Sequence, residues 1–257
     1  MERIGCMKKM PCPRSGQSAF TLVELLVIVA TLAMLAALAV PAFSKAQDQT
    51  LVAQCAGNLR QMDLALQIYA AAFNNNLPKS PSSSAWPWDV QVAVTAALSP
   101  YGPSRANYYC PANPGQNVDG LWGFDPSQFR VTGYAFTFPG DNVGTTNQNT
   151  KIVPQPIEST LGNYPPPLAR NRPLVADATL SATAQGIPTP GAEATYSWQN
   201  ILGGYRAPGW TGHRTAHMLG SLPAGGNVAM LDGHVEWHPL SALLPRTSPG
   251  VEPTFWW

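Results

Sequence analysis

Glu24 is a lone carboxylate near the start of an apolar run that extends from Phe20 to Phe43. A carboxylate in hydrocarbon must take up a proton, snorkel to the interface or find a cation. Its chemistry would therefore be charge pairing. Four other groups invite a chemical reading. Cys55 and Cys110 can form one disulfide or remain two separately buried thiols. His213, His217, His234 and His238, with Glu236, offer zinc ligands, but no spacing among them is diagnostic. On one strand His234 and His238 would lie about 13 Å apart. Asp232 could help to hold calcium, and no other cofactor is expected. The chain carries no phosphate-cradling loop with its lysine and no convincing nucleophile–base set, so neither catalytic residues nor an enzyme are expected.

The elements that would position these groups begin with the apolar run. About 20 helical residues cross the ~30 Å hydrocarbon layer, so 20–43 is read as a transmembrane helix. Arg3, Lys8, Lys9 and Arg14 precede it against the single acid Glu2. That asymmetry would keep the leader cytoplasmic and send the C-terminal part across. Ala-Val-Pro-Ala at 39–42 could imitate a secretory cleavage site, but that reading leaves Glu24 without a purpose. Beyond Pro41, which can kink the helix, Val52, Cys55, Leu59, Met62, Leu66, Tyr69 and Phe73 recur at steps of three and four. They form an apolar stripe on one helix face, with Gln54, Asn58, Gln61 and Asp63 away from it. This continuation, 44–76, should end before Pro78, for a helix of about 85 Å in all. The stripe is expected to pack under the following head; a plain coiled coil is the alternative.

The remainder, 77–257, reads as a β-rich head. Only 11% of residues are charged and the net charge is +1, which gives no nucleic-acid signature. The chain has 22 glycines and 26 prolines, which favours short strands and long loops. A helix is expected over Asp89–Pro100 with Asp89 as its cap. Strands are expected at Val131–Phe138, Pro173–Asp177 and Asn227–Trp237, and a loop at Pro139–Asn149. Asp232-Gly233 between alternating runs predicts a hairpin with a two-residue turn. That turn would pair Leu231 with His234, Met230 with Val235, Ala229 with Glu236 and Val228 with Trp237. Val228, Met230, Val235 and Trp237 would then share the core face, and His234, Glu236 and His238 the other.

Ala19-Phe20-Thr21-Leu22-Val23-Glu24-Leu25-Leu26 resembles the cleavage and methylation segment of type IV pilins and type II secretion pseudopilins. The resemblance implies a leader, 1–19, removed between Ala19 and Phe20 by a prepilin peptidase that then methylates the Phe20 amine. Ala19 stands where the family usually has glycine. Glu24 and Pro41 match the family's usual acid and proline. The implied role of Glu24 is to pair with the N-terminal amine of a neighbouring subunit. Gly226-Asn227-Val228-Ala229-Met230-Leu231-Asp232-Gly233-His234-Val235 resembles the tail of a bacterial pilin-like subfamily. In that tail a histidine and a short spacer precede Asn-Val, an apolar pair and Asp-Gly-His-Val. His217 precedes it here, with a longer spacer. Cys55-Ala56-Gly57-Asn58-Leu59-Arg60-Gln61 and Tyr109-Cys110-Pro111-Ala112 resemble the same subfamily.

Taken together, the expectation is an α+β, pilin-like protein with a long N-terminal helix packed on an antiparallel sheet. It would be a structural subunit of the bacterial inner membrane, single-pass, with a periplasmic or surface head, polymerising with like subunits into a pilus or a secretion pseudopilus. The rival class is a membrane-tethered module whose eight tryptophans capture extracellular glycan without polymerising. Core packing is the commoner use of tryptophan.

Overall fold

The computed structural model describes residues 20–79, 86–125, 128–137, 149–153, 172–182, 191–201, 212–246 and 253–257. The leader with Ala19, the strand end Phe138 and positions 139–148 of the expected loop lie outside them. The chain divides into two compact units, Met1–Ala46 and Gln47–Trp257.

The described part of the first unit is the beginning of α1, Leu22–Ala72. This helix is long and apolar enough to cross a membrane. Its start is set by Thr21 and Glu24, which close a reciprocal cap. The Glu24 amide donates to Thr21 Oγ1 at 3.2 Å, and the Thr21 amide donates to Glu24 Oε2 at 2.9 Å. Pro41 lies inside α1. The helix stops short of the expected 74–76 because Asn74 and Asn75 turn to positive φ, 55° and 63°. The Asn75 amide then folds back onto the Ala70 carbonyl at 2.7 Å.

The second unit is an α+β body with short antiparallel sheets. In chain order it holds β1 (Asp89–Gln91), α2 (Val92–Leu98), α3 (Asp119–Trp122), β2 (Phe129–Val131), β3 (Tyr134–Phe136), β4 (Pro173–Asp177) and β5 (Thr179–Ser181). Then follow β6 (Met218–Leu219), β7 (Leu222–Pro223), β8 (Gly225–Met230), β9 (Val235–Pro239) and β10 (Thr254–Trp256). The main sheet runs β3-β4-β8-β9, and β1-β2, β5-β10 and β6-β7 form pairs beside it. A bulge between Pro173 and Val175 shifts the β4–β8 register.

The stripe on α1 is the keel of one core. Cys55, Leu59, Met62 and Leu66 are fully buried with Tyr134, Val175 and Ala229. Each such apolar side chain contributes about 1.5–3 kcal/mol on leaving water. The stripe fades at its ends, where Val52 is half-buried and Phe73 exposed. A second core gathers Ala135, Ala176 and Val228 with Trp88, Phe255 and Trp257. Neighbouring strand residues thus contribute to different cores, which is why β4 and β8 are buried throughout.

Three local expectations need correction. Residues Asp89–Gln91 are a strand, paired Asp89↔Val131 through Gln91↔Phe129, and α2 begins only at Val92. Asp89 does not cap it; one carboxylate oxygen instead accepts the Trp86 amide at 3.0 Å. The expected strand Val131–Phe138 is divided between β2 and β3 at Thr132-Gly133. Gly133 is squeezed there, where a Cβ would stand 3.0 Å from the Cys110 amide nitrogen.

The third concerns the hairpin. Its register is Ala229↔Val235, Val228↔Glu236 and Asn227↔Trp237, one residue off the expected pairing. The turn takes three residues rather than two. The Gly233 amide donates to the Met230 carbonyl at 2.9 Å, and Gly233, at φ 97°, returns the chain to β9. One residue of slip exchanges faces. Val235 and Trp237 now lie on the side of Ala229 and Asn227, whereas Val228 and Met230 share theirs with His234, Glu236 and His238.

Candidate functional site

At the N-terminal end, Phe20 and Glu24 are exposed. The Glu24 carboxylate accepts the Thr21 hydroxyl at 2.7 Å as well as its amide. The acid thus serves its own helix terminus, where negative charge complements the unpaired N–H groups. The Thr-x-x-Glu spacing of the cap could have been read from the sequence.

A different constellation forms inside the second unit. Cys55, on the buried face of α1, is disulfide-bonded to Cys110, with 5.3 Å between their Cα atoms. Cys110 is held in place by its neighbours. Asn58, one turn beyond Cys55, donates through Nδ2 to the Tyr109 carbonyl at 3.2 Å. The Tyr109 hydroxyl donates to the Val131 carbonyl at 2.9 Å.

His217 closes on this bridge from the segment before β6. Its Nε2 lies 3.4 Å from Cys110 Sγ and 3.3 Å from Asp177 Oδ2. The ring meets Trp237 edge-on at 5.3 Å. Asp177, the last residue of β4, accepts the Asn227 backbone amide at 2.7 Å and its side-chain Nδ2 at 3.0 Å, both on Oδ2. Oδ1 of Asp177 is buried without a hydrogen-bond partner among the described residues. The donor atoms of Cys55, Cys110, Asp177 and His217 all lie within 4.8 Å of one another, and all four residues are buried.

The segments that carried the sequence resemblances in the head therefore converge. Cys55 and Asn58 meet Tyr109 and Cys110, and His217 and Asn227 meet Asp177 beside them. Asp177 and the pairing of His217 with Cys110 were missed. Asp177 ends an apolar strand, and nothing local marks it as a partner for residues 40 and 50 positions later.

The other histidines separate. His213 is buried against the Trp88 ring, 4.1 Å between centroids. His234 and His238 flank Glu236. His238 Nε2 is 2.6 Å from Glu236 Oε1, and His234 Nε2 is 3.7 Å from Glu236 Oε2. These contacts, hydrogen bonds first, hold the Glu236 carboxyl below the usual range. His234 Nδ1 also bonds the Asp232 carboxylate.

Asp63, expected on the polar side of α1, is 3% exposed and faces the hairpin turn. A Cβ at Gly233 would stand 3.4 Å from its Oδ2. Burial, then repulsion from Asp232, pushes its carboxyl up to about 6, against Gln67 and His234, which lower it.

Of the tryptophans among the described residues, Trp88, Trp198, Trp256 and Trp257 are at most 1% exposed, and Trp86, Trp122 and Trp237 are half-buried. No protein-family model, curated protein or solved structure matches the chain.

Proposed function

We propose that this chain is a pilin-like structural subunit, anchored by the first half of α1 and assembled through it into a type IV pilus or a type II secretion pseudopilus. A prepilin peptidase is the processing partner, acting between Ala19 and Phe20. Other copies or related subunits supply the remaining contacts, and the head lies outside the cytoplasm.

The observation that carries the reading is a membrane-length helix with a single acid in its first turn. The second half of the same helix is built into the core of a β-rich body. An anchor alone needs neither the acid nor a second half built into a core. The glycan-binding alternative has less support, because the tryptophans it would use are buried or half-buried wherever they are described.

The cap at Thr21 supplies a sharper experiment than truncating the acid. Glu24→Gln keeps an oxygen that can accept the Thr21 amide but removes the charge. Glu24→Ala removes both. If assembly uses the charge, both variants stay in the membrane fraction and both lose crosslinked multimers. If the acid only ends the helix, Glu24→Gln assembles like the parent, and the charge-pairing mechanism is wrong.

A further inference from the structure

Beyond its proposed assembly role, we propose that Cys55, Cys110, His217 and Asp177 form a two-state site: a disulfide when oxidised and, once reduced, a tetrahedral site for a borderline-soft divalent cation such as Zn²⁺.

The donor set and its spacing carry the argument. Two sulfurs, one imidazole nitrogen and one carboxylate suit zinc, whose bonds to S, N and O run about 2.0–2.3 Å. The corners of such a tetrahedron lie roughly 3.3–3.8 Å apart. Cys110 Sγ already has this spacing from Nε2 of His217, at 3.4 Å, and the Asp177 carboxylate stands beside the same nitrogen, its Oδ2 at 3.3 Å. All four donors fall within 4.8 Å of one another. The bonded sulfurs must part, and their Cα atoms, 5.3 Å apart, leave room for side-chain rotation.

A second observation points to a cation. Asp177 is 2% exposed, and its Oδ1 lacks a hydrogen-bond partner among the described residues. A buried carboxylate oxygen left in that state costs free energy that a metal bond would offset. Oδ2 is meanwhile oriented by the two N–H groups of Asn227, the kind of outer support that metal-ligating carboxylates receive. There is also an approach. His217 lines a pocket of about 350 Å³ with Asp48, Val52, Ala112, Arg214 and Ala224.

The conversion balances with a thiol reductant, either a small-molecule thiol or a dithiol protein. A reductant thiolate attacks one sulfur of the bridge, the S–S bond breaks, and a second thiolate releases the mixed disulfide. Two electrons pass to the protein and the reductant leaves as a disulfide. The cation then displaces one proton from each cysteine thiol to solvent. In the oxidised state Nε2 of His217 faces Cys110 Sγ at 3.4 Å and stands 3.3 Å from Asp177 Oδ2. In the metal state that nitrogen must offer its lone pair, so the neutral ring carries its proton on Nδ1. The two states exclude each other because they use the same sulfurs.

Cobalt(II) is the probe, titrated into the full detergent-solubilised chain before and after anaerobic reduction with a phosphine. The reduced chain should bind about one ion, with thiolate-to-cobalt charge transfer and the ligand-field bands of tetrahedral cobalt. Zinc should displace it, and the oxidised chain should give neither signal. His217→Ala should weaken binding by about tenfold or more, while its oxidised form keeps the near-ultraviolet tryptophan spectrum of the parent. If His217→Ala does not fold, His217→Gln makes the same comparison. A reduced parent without the charge-transfer band overturns the proposal, whether or not its tryptophan spectrum survives reduction. So does undiminished affinity in the histidine variant, or equal binding by the oxidised chain.

Discussion

Asn227 clamps Asp177. Its backbone N–H and its side-chain Nδ2 both donate to the same carboxylate oxygen, at 2.7 and 3.0 Å. The Nδ2 also reaches the Val52 carbonyl on α1, at 3.2 Å. One buried amide therefore ties β8 to β4 and to the helix. Asn227→Ala keeps the backbone bond and removes both side-chain bonds, one to the Asp177 carboxyl group and one to the Val52 carbonyl. The expected loss is about 2–3 kcal/mol, read as a lower urea midpoint at unchanged slope. A midpoint within error of the parent would show that the clamp contributes nothing net.

The disulfide joins helix to head across 55 residues. In the chain-entropy account, a loop of that length is worth about 4 kcal/mol, because the unfolded chain loses its freedom. Cys55→Ala with Cys110→Ala should therefore destabilise the chain by up to about 4 kcal/mol in oxidising conditions. Under a reductant, with metal chelated, the difference between parent and double variant should close. A gap that persists there would mean that the sulfurs act by packing in their buried site rather than by crosslinking.

How these features relate to the sequence is uneven, for physical reasons. The stripe from Cys55 to Leu66 was legible because a helix buries one face at a fixed period. The strand Pro173–Asp177 was legible as a short apolar run between breakers. The hairpin was located but misregistered: Asp-Gly is compatible with two-residue and three-residue turns, and Gly233 supplies a positive φ in either. Asp89–Gln91 reads as a helix start because its strand partner, Phe129–Val131, is distant in sequence. The Cys55–Cys110–His217–Asp177 cluster drew on four separate segments, and only the cysteines suggested a pair. The Thr21–Glu24 cap has a local signature, Thr-x-x-Glu, which the apolar run around the acid obscures.

Gly225 tests the register of β8 and β9 directly. Its φ is 150°, and a Cβ there would stand 2.2 Å from the His238 carbonyl and 2.7 Å from the Trp237 ring. Backbone cannot yield to that degree without parting the two strands. Gly225→Ala should cost more than about 3 kcal/mol, or prevent folding. Gly220→Ala is the control, since its φ of 66° is also left-handed but nothing lies within 4 Å of the added carbon. It should cost only about 1–2 kcal/mol. Equal losses in the two variants would mean that φ alone, and not the close approach of β9, sets the requirement for glycine.

Asp63 makes stability fall toward neutral pH. Burial first, and Asp232 second, raise its carboxyl from 3.8 to about 6. Asp89 moves the same way, to about 7, again through burial. Between about pH 4 and 6 the folded chain keeps a proton on Asp63 that the unfolded chain has lost. The stabilisation is complete below the unfolded value and is lost as pH rises through the folded one. The shift on Asp63 corresponds to about 3 kcal/mol. Asp63→Asn places a neutral group against Gln67 and the hairpin turn, so it should raise stability at pH 7.5 by up to about 3 kcal/mol and leave it nearly unchanged at pH 4. Urea unfolding of both proteins across that range checks it. The parent should lose stability more steeply between pH 4 and 6, and the slope that remains in the variant up to pH 7 should belong to Asp89. A gain that is the same at both pH values would assign the effect to packing rather than to the buried charge.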